Sequence, residues 1–147
     1  MPAAGAISLA DANVWLALTF SDHVHHTLAK TWFDAQSDES CAFCRLTQMA
    51  ILRHLTNSNI MGEFVQNQQD AWKNYDMLAQ DPRVIFFGEP PSLEPTFRNL
   101  SQAASPLHHL WTDAYLAAFA LANHSRLVTF DQGFRRFPGL DFHILAL

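Results

Sequence analysis

Three aspartates carry the strongest chemical signal in this 147-residue chain. Asp11 follows the apolar run that ends in Leu9-Ala10, and Asp131 follows Leu127-Val128-Thr129-Phe130. Asp113 sits in Trp111-Thr112-Asp113-Ala114-Tyr115, at the head of a long apolar stretch. Each has an ordinary structural reading. An Asp after a strand caps the next helix, and a carboxylate in a first helical turn is favoured by the helix dipole, with Thr112 as the expected N-cap. Set together at one edge of a sheet, three carboxylates repel one another unless a cation lies among them. Oxygen ligands of this kind suit Mg²⁺ or Mn²⁺. Such an ion activates water and steadies the charge on a phosphate undergoing displacement.

Other candidates have stronger structural alternatives. The pair Cys41 and Cys44 has redox or half-zinc spacing. It falls on a stretch that reads as a buried strand, where residues three apart point to opposite faces, and no second cysteine pair exists; a core role is expected. His23, His25 and His26 cluster at a helix start without a partner motif for zinc. His108 and His109 precede Thr112 and can approach a substrate, as exposed loop histidines also do without function. Arg135 and Arg136 follow Asp131 and can line a groove beside it.

These residues need a scaffold that brings distant segments to one edge. Short apolar runs at residues 6–10, 39–44, 83–87, 126–130 and 142–145 read as strands. Helical periodicity covers residues 11–20, 23–35, 46–56, 64–79, 93–103 and 112–123. The last of these is apolar on every face, as in a buried helix. Strands alternating with helices, and strands that are continuously apolar, mark a parallel sheet covered on both faces. The expected fold is therefore α/β, a three-layer α/β/α sandwich with a central parallel sheet of four to five strands, in a single domain over residues 1–147. Ligands of such sheets bind beyond the carboxyl ends of the strands, near the switch in strand order, which is where Asp11 and Asp131 fall.

Composition is consistent with a packed domain: 49% of residues are apolar and 16% charged, outside the range of disordered chains. The net charge of −5 is unusual for a protein that grips nucleic acid by backbone neutralisation alone, although carboxylates holding a cation reconcile the two. With eighteen aromatic residues, twelve of them Phe, some rings are expected in an interface. No segment is long enough to cross a membrane. The N-terminus lacks the basic stretch of a secretory signal, so the cytoplasm is the expected location.

The three acidic segments, in this order and spacing, resemble those of the PIN-domain family, and within it the VapC toxins of type II toxin–antitoxin systems. Asp11-Ala12-Asn13-Val14-Trp15-Leu16 is similar to the family's opening motif, Thr112-Asp113-Ala114-Tyr115 to its third acidic motif, and Thr129-Phe130-Asp131-Gln132-Gly133 to its fourth. The resemblance spans essentially the whole chain. It implies a Mg²⁺-dependent endoribonuclease acting on single-stranded or looped RNA such as tRNA or rRNA, a homodimer, and inhibition by a VapB-like antitoxin. Asp11, Asp113 and Asp131 then hold the metal, while Asn13, Thr129 and Thr112 orient waters and carboxylates. The chain departs from the family at Gln48, which stands where a Glu is usual. An amide can still position water, but it brings no charge, so one rather than two ions and weaker metal binding are expected. Gln48 also keeps open a catalytically weak PIN domain that only binds RNA or protein. Arg53, five residues on, can reach a phosphate or pair with an acid, and Arg135 is a second candidate for RNA contact. A phosphoacceptor receiver domain is disfavoured: Asp11 has no acidic neighbour, and no Lys follows Lys73.

Overall fold

The computed structural model describes residues 7–146. Five parallel strands form one sheet: β1 (Ser8–Ala10), β2 (Cys41–Phe43), β3 (Val84–Phe86), β4 (Arg126–Thr129) and β5 (Phe142–Ile144), in the order β3-β2-β1-β4-β5. Ala6, read as part of the first strand, lies outside the described residues. The chain runs outward from β1 to β2 and β3, then crosses back to β4 and β5 on the other side. The strand order therefore switches between β1 and β4, the crevice where parallel sheets seat ligands.

Alternation along the strands separates two cores. Ala10, Cys41, Phe43 and Val128 face one layer with Trp15, Phe33, Ile51 and Tyr75. That layer is built on α1 (Ala12–Thr19), α2 (His26–Asp34), α3 (Arg45–Leu55) and α5 (Gln68–Ala79). Leu9, Ala42, Cys44 and Leu127 face the opposite layer with Leu93, Leu116 and Phe119, from α6 (Leu93–Leu100) and α7 (Leu110–Ala122). Cys41 and Cys44 thus point into different cores, both buried and free. This is the three-layer α/β/α arrangement expected from the sequence.

Several boundaries differ for identifiable reasons. The helix expected over residues 64–79 begins at Gln68, because Asn67 caps it through a bond from the Asp70 amide (2.8 Å). A short helix unmarked by periodicity, α4 (Ser58–Met61), precedes it, capped by Asn57 and ended by Gly62 at φ 56°. The strand expected to reach Cys44 stops at Phe43, and Cys44 becomes the N-cap of α3. Most consequential is α7, expected from Thr112 but starting at Leu110. Leu110 is buried in the core and draws the helix start upstream, so Thr112 is an exposed first-turn residue and not the N-cap.

Trp15 ties α1 to the sheet. It is fully buried, stacks on Phe43 with centroids 4.1 Å apart, and donates its indole N–H to the Ala10 carbonyl at 3.1 Å. Replacing it removes both volume and a buried donor. Trp15→Phe is expected to lower stability by about 1–3 kcal/mol in urea unfolding, with the slope of the transition unchanged.

Candidate active site

The backbone amide of Asp11 donates to the Val128 carbonyl at 2.8 Å, extending the β1–β4 ladder by one residue. With Ala10 opposite Val128, this register sets Asp11 beside Thr129. The Thr129 hydroxyl donates to Asp11 Oδ2 at 2.9 Å and accepts the Asp131 amide at 3.0 Å. Asp11 is also the N-cap of α1, its Oδ1 accepting the Ala12 amide at 2.7 Å. One threonine therefore joins the ends of two neighbouring strands and two of the three aspartates.

Asp113 enters from α7. Together with Asp11, Thr112, Arg53, Thr47 and His54 it lines a cleft of about 200 Å³ over the carboxyl edge of the sheet. Asp131 stands at the rim, its Oδ1 capping the following turn through the Gly133 amide (2.8 Å). Asn13 donates to Thr129 Oγ1 at 3.4 Å, and its own Oδ1 is buried without a protein partner. Arg136, on the turn Gln132–Arg136, donates to Asp113 Oδ2 at 2.9 Å.

Burial dominates the electrostatics. It pushes the Asp11 carboxyl up to about 6, against the bonds from Thr129 and Ala12 that favour the charge; Asp113 and Asp131 push it further up. Asp113 is also raised by burial, held back by Arg136 and pushed by Asp131. Burial, with the adjacent Arg53 charge, lowers His54, leaving it neutral near pH 7. Among the described residues, no three His, Cys, Asp or Glu side chains are set together as a metal cage. The three aspartates feel one another's charge without converging on a single point.

The structure brings together Asp11, Asn13, Arg53, Thr112, Asp113, Thr129 and Asp131, but not Gln48 or Arg135. Gln48 is buried with its Oε1 accepting from Arg45, beside Tyr75, while Arg45 lies over the Phe86 ring. It faces the β3 side of the sheet, not the Asp11 cleft. Arg135 bonds Gln132 Oε1 at 2.7 Å and lies over Phe142, whereas its neighbour Arg136 reaches Asp113. Thr47 and His54, which do line the cleft, carry no motif of their own; their only sequence signal is their place on the same helix as Arg53. The early histidines are occupied structurally: His25 stacks on Phe130, and His26 Nδ1 bonds the Ala17 carbonyl at 2.9 Å.

A family model for the PIN domain matches residues 9–140. The chain belongs to the PIN-domain family. It is 39% identical over 143 residues to ribonuclease VapC41 of Mycobacterium tuberculosis, covering 94% of this chain and 98% of that protein. Among solved structures, DNA-bound VapBC from Salmonella typhimurium superposes with a TM-score of 0.68 at 13% identity, over 96% of this chain and 99% of that one. A toxin–antitoxin complex from Klebsiella pneumoniae superposes at 0.61 and 16% identity, over 90% and 94%. At these identities the two structures speak for the PIN fold alone.

Two measurements follow from the geometry. The raised Asp11 carboxyl penalises the ion-free fold once pH exceeds its unfolded value, and the penalty is complete above about 6. In chelator, Asp11→Asn is therefore expected to match wild type in stability near pH 3 and to exceed it by up to about 3 kcal/mol at pH 8. A pH-independent difference in urea unfolding would contradict this. Gln48→Glu is expected to pair with Arg45, leaving Mn²⁺ affinity by calorimetry within about two-fold of wild type, since the buried side chain lies outside the Asp11 cleft and Arg45 neutralises the added charge.

Proposed function

We propose that this PIN domain is a metal-dependent endoribonuclease, the toxin of a toxin–antitoxin pair, hydrolysing phosphodiester bonds in structured or single-stranded RNA such as tRNA or rRNA. The observation that carries the reading is the placement of Asp11 and Asp113 on one cleft with Arg53, at the strand-order switch of the sheet. The ribonuclease name of VapC41, at 39% identity over nearly the whole chain, supports it.

The donor set fits Mg²⁺ or Mn²⁺. Magnesium keeps most of its water and is commonly held by one or two carboxylates plus substrate phosphate, not by an all-protein cage. Two carboxylates on a narrow cleft, a third at its rim, and an unpartnered buried oxygen on Asn13 suit a hydrated ion of that kind. Burial that pushes Asp11 toward neutrality is what a nearby cation would reverse. When bound, the ion supplies Lewis acidity toward a phosphate oxygen and acidifies water.

The chain's own residues do the rest. Asp11 and Asp113 would hold the ion. Thr129, by donating to Asp11 Oδ2, fixes the carboxylate rotamer and leaves its open side to the cleft, while Asn13, Thr112 and Asp131 orient water. Arg53 offers a planar guanidinium to the phosphate flanking the cut. Because the protein as a whole is acidic, RNA is held by such local cations and by base stacking on exposed rings, with Arg135 as an outlying contact. A VapB-like antitoxin, a homodimer and a cytoplasmic location belong to the same reading; no helix among the described residues is long and apolar enough to cross a membrane. The rival reading, a PIN domain that binds without cutting, draws on Gln48, which adds no acid to the cleft.

Purified protein with Mg²⁺ or Mn²⁺ is expected to cleave structured RNA at discrete sites, mapped by 5′-end sequencing, and chelator to stop it. Asp11→Asn, Asp113→Asn and Asp131→Asn should each lower the rate by about 100-fold or more, beyond the loss typical of an outlying support residue. Cleavage surviving in all three variants would overturn the assignment; metal binding without cleavage in wild type would favour the rival.

A further inference from the structure

Arg136 closes the turn Gln132–Arg136 that follows Asp131. Its half-exposed guanidinium turns toward Asp113, donating from Nη2 to Asp113 Oδ2 at 2.9 Å. Two independent features hold it there. A Cβ at Gly133 would lie 3.3 Å from Arg136 Nη1 and 3.1 Å from Asp131 Oδ1. The guanidinium thus packs against bare backbone, in the space between the carboxylates of Asp131 and Asp113. From the other side it lies over the Phe137 ring, 4.9 Å from its centroid. The side chains of Arg136 and Asp113 are 40% and 26% exposed, so this contact is exchangeable. A half-exposed ion pair is weakly held, and a divalent cation can displace it.

We propose that Arg136 is a positioning residue of the acidic cleft: an internal counter-cation that pairs with Asp113 in the ion-free protein, yields Asp113 to an entering divalent ion, and then faces the RNA phosphate. The proposal rests on the metal-dependent reading above. It explains how three aspartates share one edge in the absence of an ion, and why the arginine facing them is this one and not Arg135. A planar guanidinium displaced by only the length of one contact stays beside Asp113, suited to a phosphate oxygen pair.

The test is calorimetric titration of the full chain with MnCl₂, alongside steady-state cleavage of RNA, for wild type, Arg136→Gln, Arg136→Lys and Arg136→Met. Loss of the competing cation should tighten Mn²⁺ binding roughly three- to ten-fold in Arg136→Gln, while KM for RNA rises. Arg136→Lys keeps the charge and should leave Mn²⁺ affinity near wild type, while KM for RNA rises because an ammonium lacks the planar fork. Arg136→Met, which keeps an apolar stem beside Phe137 and removes the charge, should also tighten Mn²⁺ binding, and decides the matter should Arg136→Gln fail to fold. A purely structural arginine would weaken ion and RNA binding together. Unchanged or weaker Mn²⁺ affinity in folded Arg136→Gln and Arg136→Met overturns the proposal alone if wild type binds Mn²⁺ and cuts RNA. Absence of both in every protein overturns it together with the reading it rests on.

Discussion

The hydroxyl of Thr129 makes the contact on which the site depends. It is fully buried at the end of β4, donates to Asp11 at the end of β1, and accepts the amide of Asp131. A hydroxyl has one proton to give and can accept at the same time, so this one side chain satisfies a half-buried carboxylate and fixes the loop that carries the next one. Its position follows from the register of two parallel strands, with Ala10 opposite Val128. A slip of one residue would turn Thr129 to the opposite core and leave Asp11 buried against apolar side chains.

Around that contact the protein keeps negative charge where water is scarce. Burial outweighs the hydrogen bonds at Asp11 and pushes its carboxyl up; at Asp113 burial acts the same way and Arg136 offsets part of it. The balance is local. An overall charge of −5 says nothing of the cleft, where Arg53 and Arg136 face two aspartates. Any anion approaching the cleft would meet that local field at contact distances, since more distant exposed charges are screened by salt.

The two helical layers divide the labour. Trp15, stacked on Phe43 and bonded to the Ala10 carbonyl, anchors α1 so that its N-terminus points at the end of β1. On the other face, α7 buries Ala114, Ala117 and Ala118, small residues that let the helix approach the sheet closely and bring Asp113, in its first turn, to the cleft. Both elements present helix N-termini to the same edge, and both N-termini favour negative charge there.

Much of this was legible in the sequence. Continuously apolar runs bounded by polar residues marked the strands, and an Asp after a parallel strand has few places to go other than the ligand edge, so Asp11 and Asp131 could be placed from patterning alone. Asp113, opening the long apolar helix, falls at that edge too, and the resemblance to the PIN-domain family gave the three a shared role. The sequence could not show the rotation of α3. Gln48 and Thr47 are adjacent in sequence but about 100° apart around a helix, and packing of that helix against α5 turns Thr47 toward the cleft and Gln48 toward Tyr75 and Arg45. Arg135 and Arg136 differ in the same way: a tight turn sends one to Phe142 and the other to Asp113. Local sequence thus determined which segments reach the carboxyl edge of the sheet, because hydrophobic periodicity sets element type and order. Only the tertiary structure decided which side chain each segment presents there, because that depends on helix rotation and turn geometry set by contacts between residues far apart in the chain.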